Sequence, residues 1–394
     1  MSEWKEYKLG DVALKMTSGG TPKTSESSYY NGGIPWLNTK EVNFNRILKT
    51  EKNISELGLS NSSAKWIPKY SVIVAMYGAT AGKVAYSLID LTTNQACCNI
   101  IIDKKKADSL FVYYYLQSSY VELENLACGA AQQNLSVGVI SDFSVLLPSL
   151  AQQKLIAGVL SSLDDKIDLL NRQNQTLESM AEALFRHYFI DNHQPEWKEK
   201  SLFDCIELIG GGTPKTTIDE YWNGPIKWLS GGDIANNHKG FIFDAEKSIS
   251  EIGLSNSSTR LLPKYATVIS ARGTVGKFCI LSEPMAFSQS NYGILPQYKD
   301  CFFFTYLLVS YSVEELQSAA YGSVFDTITT NTFKGLSVSL PPKELILQFE
   351  TMITVYFSKI YNNQSQIITL CSLRDTLLPK IMNKEIEIEC NQLK

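Results

Sequence analysis

The chain has little with which to bind a metal or cross a membrane. Its three histidines, His187, His193 and His238, are few and scattered, which argues against a metal centre. Its eight cysteines include no Cys-x-x-Cys pair, and most lie among apolar neighbours. They are expected to be reduced thiols of a cytoplasmic protein, not zinc ligands or a disulfide framework. No apolar run approaches the roughly 18 residues of a membrane span, so no membrane partner is expected. The opening MSEWKEYKLGDV has no apolar core of the kind a secretory signal needs, so no such signal is expected.

Catalytic motifs are missing as well. Gly78-Ala79-Thr80-Ala81-Gly82-Lys83-Val84 comes near a phosphate loop, but its spacer is one residue short and Val84 stands where a hydroxyl would hold magnesium. The counterpart Gly273-Thr274-Val275-Gly276-Lys277-Phe278 is shorter still. No G-x-G-x-x-G opens a dinucleotide-binding unit, no amino-methyltransferase Asn/Asp-Pro-Pro-aromatic run occurs, and no nucleophile elbow presents a serine. The chain is therefore expected to be non-catalytic, with no metal and no cofactor of its own. Net basic charge is also absent: 36 Lys+Arg stand against 40 Asp+Glu, a formal net charge of −4. Any surface for a polyanion must then be local.

Two long amphipathic stretches are present. From Leu150 to Ile190, apolar residues step by four and three through Ile156, Leu160, Leu163, Ile167, Leu170, Leu177, Ala181 and Leu184, with Asn174 at one a-type position. Asp164, Asp165, Lys166, Asp168, Arg172 and Glu178 are expected on the outer face. A helix of roughly 40 residues is about 60 Å long and cannot bury its seam alone. A shift of 193 residues carries that seam onto Phe349, Ile353, Tyr356, Ile360, Asn363, Ile367, Leu370, Arg374 and Leu377. The two helices are expected to pair. In this shift Asn174 falls on Ile367, so an Asn–Asn pair across the seam is left open.

The shift is general. Glu3-Trp4-Lys5-Glu6 is answered by Glu196-Trp197-Lys198-Glu199, and Gly19-Gly20-Thr21-Pro22-Lys23-Thr24 by Gly211-Gly212-Thr213-Pro214-Lys215-Thr216. Ile54–Ser63 is answered by Ile249–Ser258, and Pro68-Lys69-Tyr70 by Pro263-Lys264-Tyr265. A repeat this long is a duplicated domain-plus-helix unit. Within each unit the β-branched runs 71–75, 99–102 and 266–270 read as strands, and 108–126 and 302–320 read as matching helices. Pro148 and Pro341 precede the long helices. The boundaries fall at 1–148, a first domain; 149–190, a central helix; 191–342, a second domain; and 343–394, a C-terminal helix and tail. The fold class is α+β, with two homologous globular domains separated by two long helices paired as an antiparallel coiled coil, and an internal pseudo-two-fold.

Acids are absent from the same place in both repeats. None lies between Glu56 and Asp90, where Lys65, Lys69 and Lys83 stand, nor between Glu251 and Glu283, where Arg260, Lys264, Arg272 and Lys277 stand. In a chain of net negative charge, such windows suit a surface facing phosphate, although buried strands also exclude acids. Gly78, Gly82, Gly273 and Gly276 would let main-chain amides approach an anion. The Gly-Gly-Thr-Pro-Lys-Thr turns are either structural punctuation or further contacts. Asn61, Asn94, Gln95, Gln132, Gln133, Asn134, Asn256, Gln289 and Asn291 could read base edges.

These segments together resemble the DNA-specificity subunit of type I restriction-modification enzymes. The resemblance covers the whole chain and rests on the duplicated architecture, the Gly-Gly-Thr-Pro turns, Tyr115-Leu116-Gln117-Ser118, Leu146-Leu147-Pro148, Gln152-Gln153-Lys154-Leu155-Ile156-Ala157, Ala181-Glu182-Ala183-Leu184-Phe185-Arg186 and Leu377-Leu378-Pro379-Lys380. One departure is Met76-Tyr77-Gly78 in the first repeat, where the second has Ala271-Arg272-Gly273, as the family commonly does. The resemblance implies that each domain is a target-recognition domain reading one half of a bipartite asymmetric site on double-stranded DNA. It implies helices that set the spacer, two methylation subunits bringing S-adenosylmethionine, and restriction subunits bringing ATP and Mg. The candidate DNA contacts are Thr21, Lys23, Lys65, Lys69, Tyr77 and Lys83 in the first domain, and Thr213, Lys215, Arg260, Lys264, Arg272 and Lys277 in the second. The rival readings are a duplicated protein-interaction adaptor without DNA readout and an enzyme with a diverged site.

Overall fold

Val72–Ala75 and Thr267–Ser270 are buried along their whole length, and each becomes the middle strand of a sheet. A computed structural model describes residues 4–128, 134–321 and 326–388; Gln132, Gln133, Cys390 and the side chain of Cys128 lie outside that description. The chain divides into two compact units, Met1–Ile167 with Thr369–Lys394, and Asp168–Ile368. Each holds one globular domain and one stretch of each long helix.

In the first unit, five described strands run in the order Ala13–Ser18, Cys97–Ile102, Val72–Ala75, Val84–Ser87, Asn45–Ile47. A smaller sheet joins Lys52–Ile54, Tyr30–Leu37 and Thr92–Thr93. The second unit repeats the plan with Ile206–Gly210, Asn291–Pro296, Thr267–Ser270, Phe278–Leu281 and Phe241–Ile242. Its smaller sheet is Lys247–Ile249, Trp222–Leu229, Met285–Phe287 and Leu261–Leu262. Even an irregularity recurs: the register slips between Tyr30 and Ile34 and between Trp222 and Ile226. Asn31 and Asn223, at φ 58° and 60°, lead into Gly32 and Gly224, where a Cβ would lie 2.4 Å from the Cα of Ser55 or Ser250. In each unit an antiparallel strand pair ties the domain's opening to the segment before the long helix, with Lys5↔Leu147 and Lys198↔Leu340 in register.

The predicted helix 108–126 is broken. It runs Ser109–Ser118 and resumes as Tyr120–Cys128, whereas its counterpart Phe302–Tyr321 is continuous. Ser118 Oγ bonds back to the Tyr115 carbonyl at the break, a local alternative that serines offer to the helical ladder.

The central helix spans Leu150–Arg186 and the C-terminal helix Lys343–Met382. They run antiparallel in both units. In the first, Ile156, Ala157 and Leu160 share a core with Leu378, Ile381 and Met382. In the second, Ala181 and Phe185 share a core with Phe349, Ile353, Phe357 and Ile360. The buried line runs through Ile156, Leu160, Asp164, Ile167, Leu170, Asn174, Ala181 and Phe185. Leu163, Leu177 and Leu184 are half-buried at its margin, as are Ile367, Leu370 and Leu377 on the partner helix.

Asp164 is a correction to the sequence reading, which put it outside. It is buried, accepting from the Tyr114 hydroxyl at 2.5 Å and from Arg374 Nη1 at 2.8 Å. Glu178 is a second correction. It is half-buried near Tyr306 and Lys239, and burial pushes its carboxyl up to about 7, with Glu182 adding to the rise. The Asn–Asn pair left open by the 193-residue shift does form, across unlike positions: Asn363 Nδ2 donates to Asn174 Oδ1 at 2.8 Å.

No described helix is long and apolar enough to cross a membrane. Cys97, Cys98, Cys205, Cys279 and Cys301 are free and buried, and burial pushes the Cys97 and Cys98 thiols up to about 12.

Candidate nucleic-acid interface

The Gly-Gly-Thr-Pro turns are built into the small sheets by contact too close for a side chain. A Cβ on Gly19 would lie 2.1 Å from the Thr93 carbonyl oxygen, and one on Gly20 would lie 2.3 Å from the Ala64 nitrogen. Gly211 and Gly212 meet Ser288 and Thr259 in the same way, at 2.1 and 2.2 Å. Indole donors hold each turn: Trp36 Nε1 to the Gly20 carbonyl at 2.9 Å, and Trp228 Nε1 to the Gly212 carbonyl at 3.0 Å. The glycines are therefore structural. Thr21 and Thr213 are half-buried and Lys23 and Lys215 exposed on the presented side of these turns.

From there a chain of contacts leads to the second candidate loop. Gly20 abuts Ser63 and Ala64, which precede the exposed Lys65. Thr21 Oγ1 bonds the side chain of Gln95, itself exposed. Next to it, buried Asn94 accepts from Thr39 Oγ1 at 2.8 Å. The Thr39 carbonyl accepts from Thr80 Oγ1 at 3.2 Å, within the loop that carries Tyr77 and Lys83. Lys83 Nζ closes the run by donating to Asn43 Oδ1 at 2.7 Å.

The loops turn on glycines at positive φ: Gly78 at 73° and Gly82 at 81°, Gly273 at 75° and Gly276 at 78°. A β-carbon is disfavoured at such φ, so these positions require glycine. Their amides have different fates. Gly82 and Gly276 donate at 2.9 Å to the carbonyls of Ala75 and Ser270, which fixes the loop and removes those donors from any ligand. Gly78 and Gly273 face open space. Tyr77, Arg260 and Arg272 are exposed, and Lys277 half-exposed. Thr274 Oγ1 ties the second loop to the Gly231 carbonyl at 3.1 Å, as Thr80 ties the first.

Two candidates sit elsewhere. Lys264 Nζ lies 4.2 Å from the ring centre of Tyr361 on the C-terminal helix and 4.8 Å from that of Tyr265, a pair of cation–π contacts. Lys69 lies over Tyr70, whose ring lines a cleft with Leu150, Lys154 and Ala157 of the central helix. The motif Pro-Lys-Tyr puts its tyrosine at φ 70° or 72°, unusual for an aromatic residue, and turns these lysines toward the helices. Both are removed from the loop cluster.

Among the amide side chains, Asn61 and Asn256 donate to the carbonyls of Leu57 and Ile252 at 2.9 Å and close short helices. Asn291 is buried and donates to Ser288 Oγ at 2.8 Å. These are structural. Gln95, Gln289 and Asn134 remain exposed. The acid-free windows contain Val72–Ala75, Val84–Ser87, Thr267–Ser270 and Phe278–Leu281, all buried, which explains much of the missing acid by burial alone. Among the described residues no group of three or more His, Cys, Asp or Glu side chains could hold a metal ion.

The sequence is similar to known proteins along its length. The family model of the type I restriction modification DNA specificity domain matches residues 1–179 and 194–369. The type I restriction enzyme MjaIX specificity subunit of Methanocaldococcus jannaschii is 25% identical over 413 residues, covering 98% of this chain and 94% of the relative. The HindI specificity subunit of Haemophilus influenzae is 23% identical over 469 residues, covering 98% and 100%. Among solved structures, the type I restriction-modification S subunit from M. genitalium shares the fold, with a TM-score of 0.63 at 16% identity over 96% of each chain.

Proposed function

The chain belongs to the type I restriction-modification DNA specificity family, and on that footing we propose that it is the sequence-specific double-stranded-DNA-binding subunit of a type I restriction-modification complex. Each domain reads one half of a bipartite asymmetric site. The observation that carries this reading is the recurrence, in both domains, of one surface: a glycine-hinged basic loop, an exposed glutamine and a rigid Gly-Gly-Thr-Pro turn, tied together in the first domain through Thr39, Asn94 and Gln95. Lys83, Arg272 and Lys277 meet phosphates and fix register. Gln95 and Gln289, each with one carbonyl acceptor and one amide donor, face base edges. Lys69 and Lys264 serve the helix side of their domains.

The paired helices set the length of the unread spacer and dock two methylation subunits. Those partners hold S-adenosylmethionine, and restriction subunits hold ATP and Mg; this chain supplies recognition and no catalytic group, in the cytoplasm. The test is a methylome. The chain is co-expressed with a methylation subunit in a host free of adenine methylation, and methyladenine is mapped by long-read sequencing. One bipartite motif with two unlike halves is the expected result. Co-purification of the two proteins without any new methylation, and without salt-sensitive DNA binding, would support the protein-only adaptor instead.

A further inference from the structure

The two domains differ in one place where every neighbour but one has been kept. In the first domain, the Tyr115 phenol lies against the Leu146 main chain and the Ser119 hydroxyl, with Glu6 and Glu122 near it and its ring 6.3 Å from that of Phe111. Half-burial raises its pKa. The equivalents 193 residues on are Leu308 for Tyr115, Ser312 for Ser119, Glu199 for Glu6, Glu315 for Glu122 and Phe304 for Phe111. The phenol alone is gone, and the groups that surround it remain.

Where the phenol would be, the second domain has a cavity of about 250 Å³. Leu308, Phe304, Ser312, Glu199, Glu315 and Ser339 all contribute to its wall. Ser312 is 2% exposed, and its hydroxyl has no hydrogen-bond partner. A buried hydroxyl without a partner is uncommon, because the lost hydration is not recovered. Elsewhere on the wall Ser337 Oγ donates to Glu199 Oε2 at 2.7 Å, and His193 Nε2 bonds Ser339 Oγ at 2.8 Å.

We propose that this cavity of the second domain is a binding site for a small phenol. The ring stacks against Phe304 and Phe185, and the hydroxyl meets Ser312. Size permits it, since an apolar cavity of about 150 Å³ accepts benzene. The first domain carries the same group covalently, as Tyr115, so the proposed site is a vacancy of matching shape and polarity.

The experiment uses the full chain and 4-methylphenol, with toluene as the isostere lacking the hydroxyl, read by thermal shift and titration calorimetry. The expected result is a dose-dependent rise in Tm with 4-methylphenol at millimolar concentration and binding about five- to tenfold tighter than toluene, the worth of one hydrogen bond. Ser312→Ala keeps the fold and erases the difference between the two ligands. Leu308→Tyr fills the cavity from within, and neither ligand then raises Tm. A 4-methylphenol that shifts Leu308→Tyr as much as the wild type overturns the proposal, as does absence of any shift in the wild type. Equal affinity for toluene and 4-methylphenol in the wild type overturns the role of Ser312. A tyrosine on a partner chain as the natural source would show as wild-type partner binding that 4-methylphenol displaces and Leu308→Tyr lacks.

Discussion

Asn174 and Asn363 meet inside an otherwise apolar stretch of the helix pair, both nearly without exposure, and only one hydrogen bond of good length joins them. Asn174→Leu would leave the buried Asn363 amide with only its long bond to Gln173 Oε1, at 3.4 Å, at a cost of about 1–3 kcal/mol. The double variant Asn174→Leu/Asn363→Leu removes both polar groups and is expected to regain most of that loss; denaturant unfolding of the cycle checks it. Asp164 is held more strongly, by Arg374 and by Tyr114, whose own pKa burial and the neighbouring carboxylate drive far upward. Asp164→Ala leaves the half-buried Arg374 guanidinium with Asp375 alone and takes the acceptor from the buried Tyr114 hydroxyl, and is expected to cost about 1–3 kcal/mol in the same assay. Neither feature could be read from the seam alone. Asn174 stood out because it breaks the apolar repeat, but its partner is four residues from its repeat equivalent. Asp164 was hidden because Leu163 beside it satisfies the same spacing, and the guanidinium that neutralises it and the phenol that bonds it come from distant parts of the chain.

The two domain helices show how divergent residues solve one problem of an element. Helix Ser109–Ser118 is capped by its own Asp108, whose Oδ1 accepts from the Leu110 and Phe111 amides at 3.1 and 3.0 Å. The equivalent residue in the second domain is Cys301, which cannot cap. There the C-terminal helix provides the acceptor: Glu350 takes the Phe303 amide at 3.0 Å and the Phe304 amide at 2.7 Å. Burial pushes the Glu350 carboxyl up to about 7, against the pull of those amides. An unfolded glutamate titrates near 4.3, so the folded chain holds the extra proton between roughly pH 4.5 and 7. The folded state is then favoured at the acid end of that window, and this contribution is lost as pH rises through about 7. Glu350→Gln is expected to flatten the fall in Tm between pH 5 and 8, while Glu178, of the same sign, keeps part of it; melting curves across that range decide. The strands and both long helices were legible in sequence, because burial and period declare themselves locally. The cap from Glu350 was not, because it joins residues whose pairing only the fold creates.

For the molecule as a whole, duplication was the clearest message of the sequence, and the recurrence of strand order, bulge and glycine-hinged loops follows from it. The loop surface proposed for recognition has only some of its members marked in the sequence. Loop glycines and basic residues were found by composition, but Lys69 and Lys264 share those windows and turn toward the helices, since a window of sequence does not distinguish the faces of a domain. If the loops touch phosphate, Lys83→Ala and Lys277→Ala should each lower the slope of log affinity against log salt by about one, with little change in sequence preference, whereas Lys264→Ala should not. Fluorescence anisotropy across a salt series makes the comparison. Replacing residues 1–148 with the first domain of another family member is expected to change one half of the methylated motif and leave the other.

A chain made of two like halves faces confusion between siblings, since two central helices from different molecules could embrace as a central and a C-terminal helix do within one. The polar layers of the helix pair answer this. In the central helix, the residue equivalent to Asn363 is Leu170, and the one equivalent to Arg374 is Ala181. Two central helices meeting in the same register would bury Asp164 without its arginine and Asn174 without its amide partner, each against apolar side chains. The asymmetry marks the two helices as different in kind: a central helix accepts a C-terminal one and refuses a copy of itself.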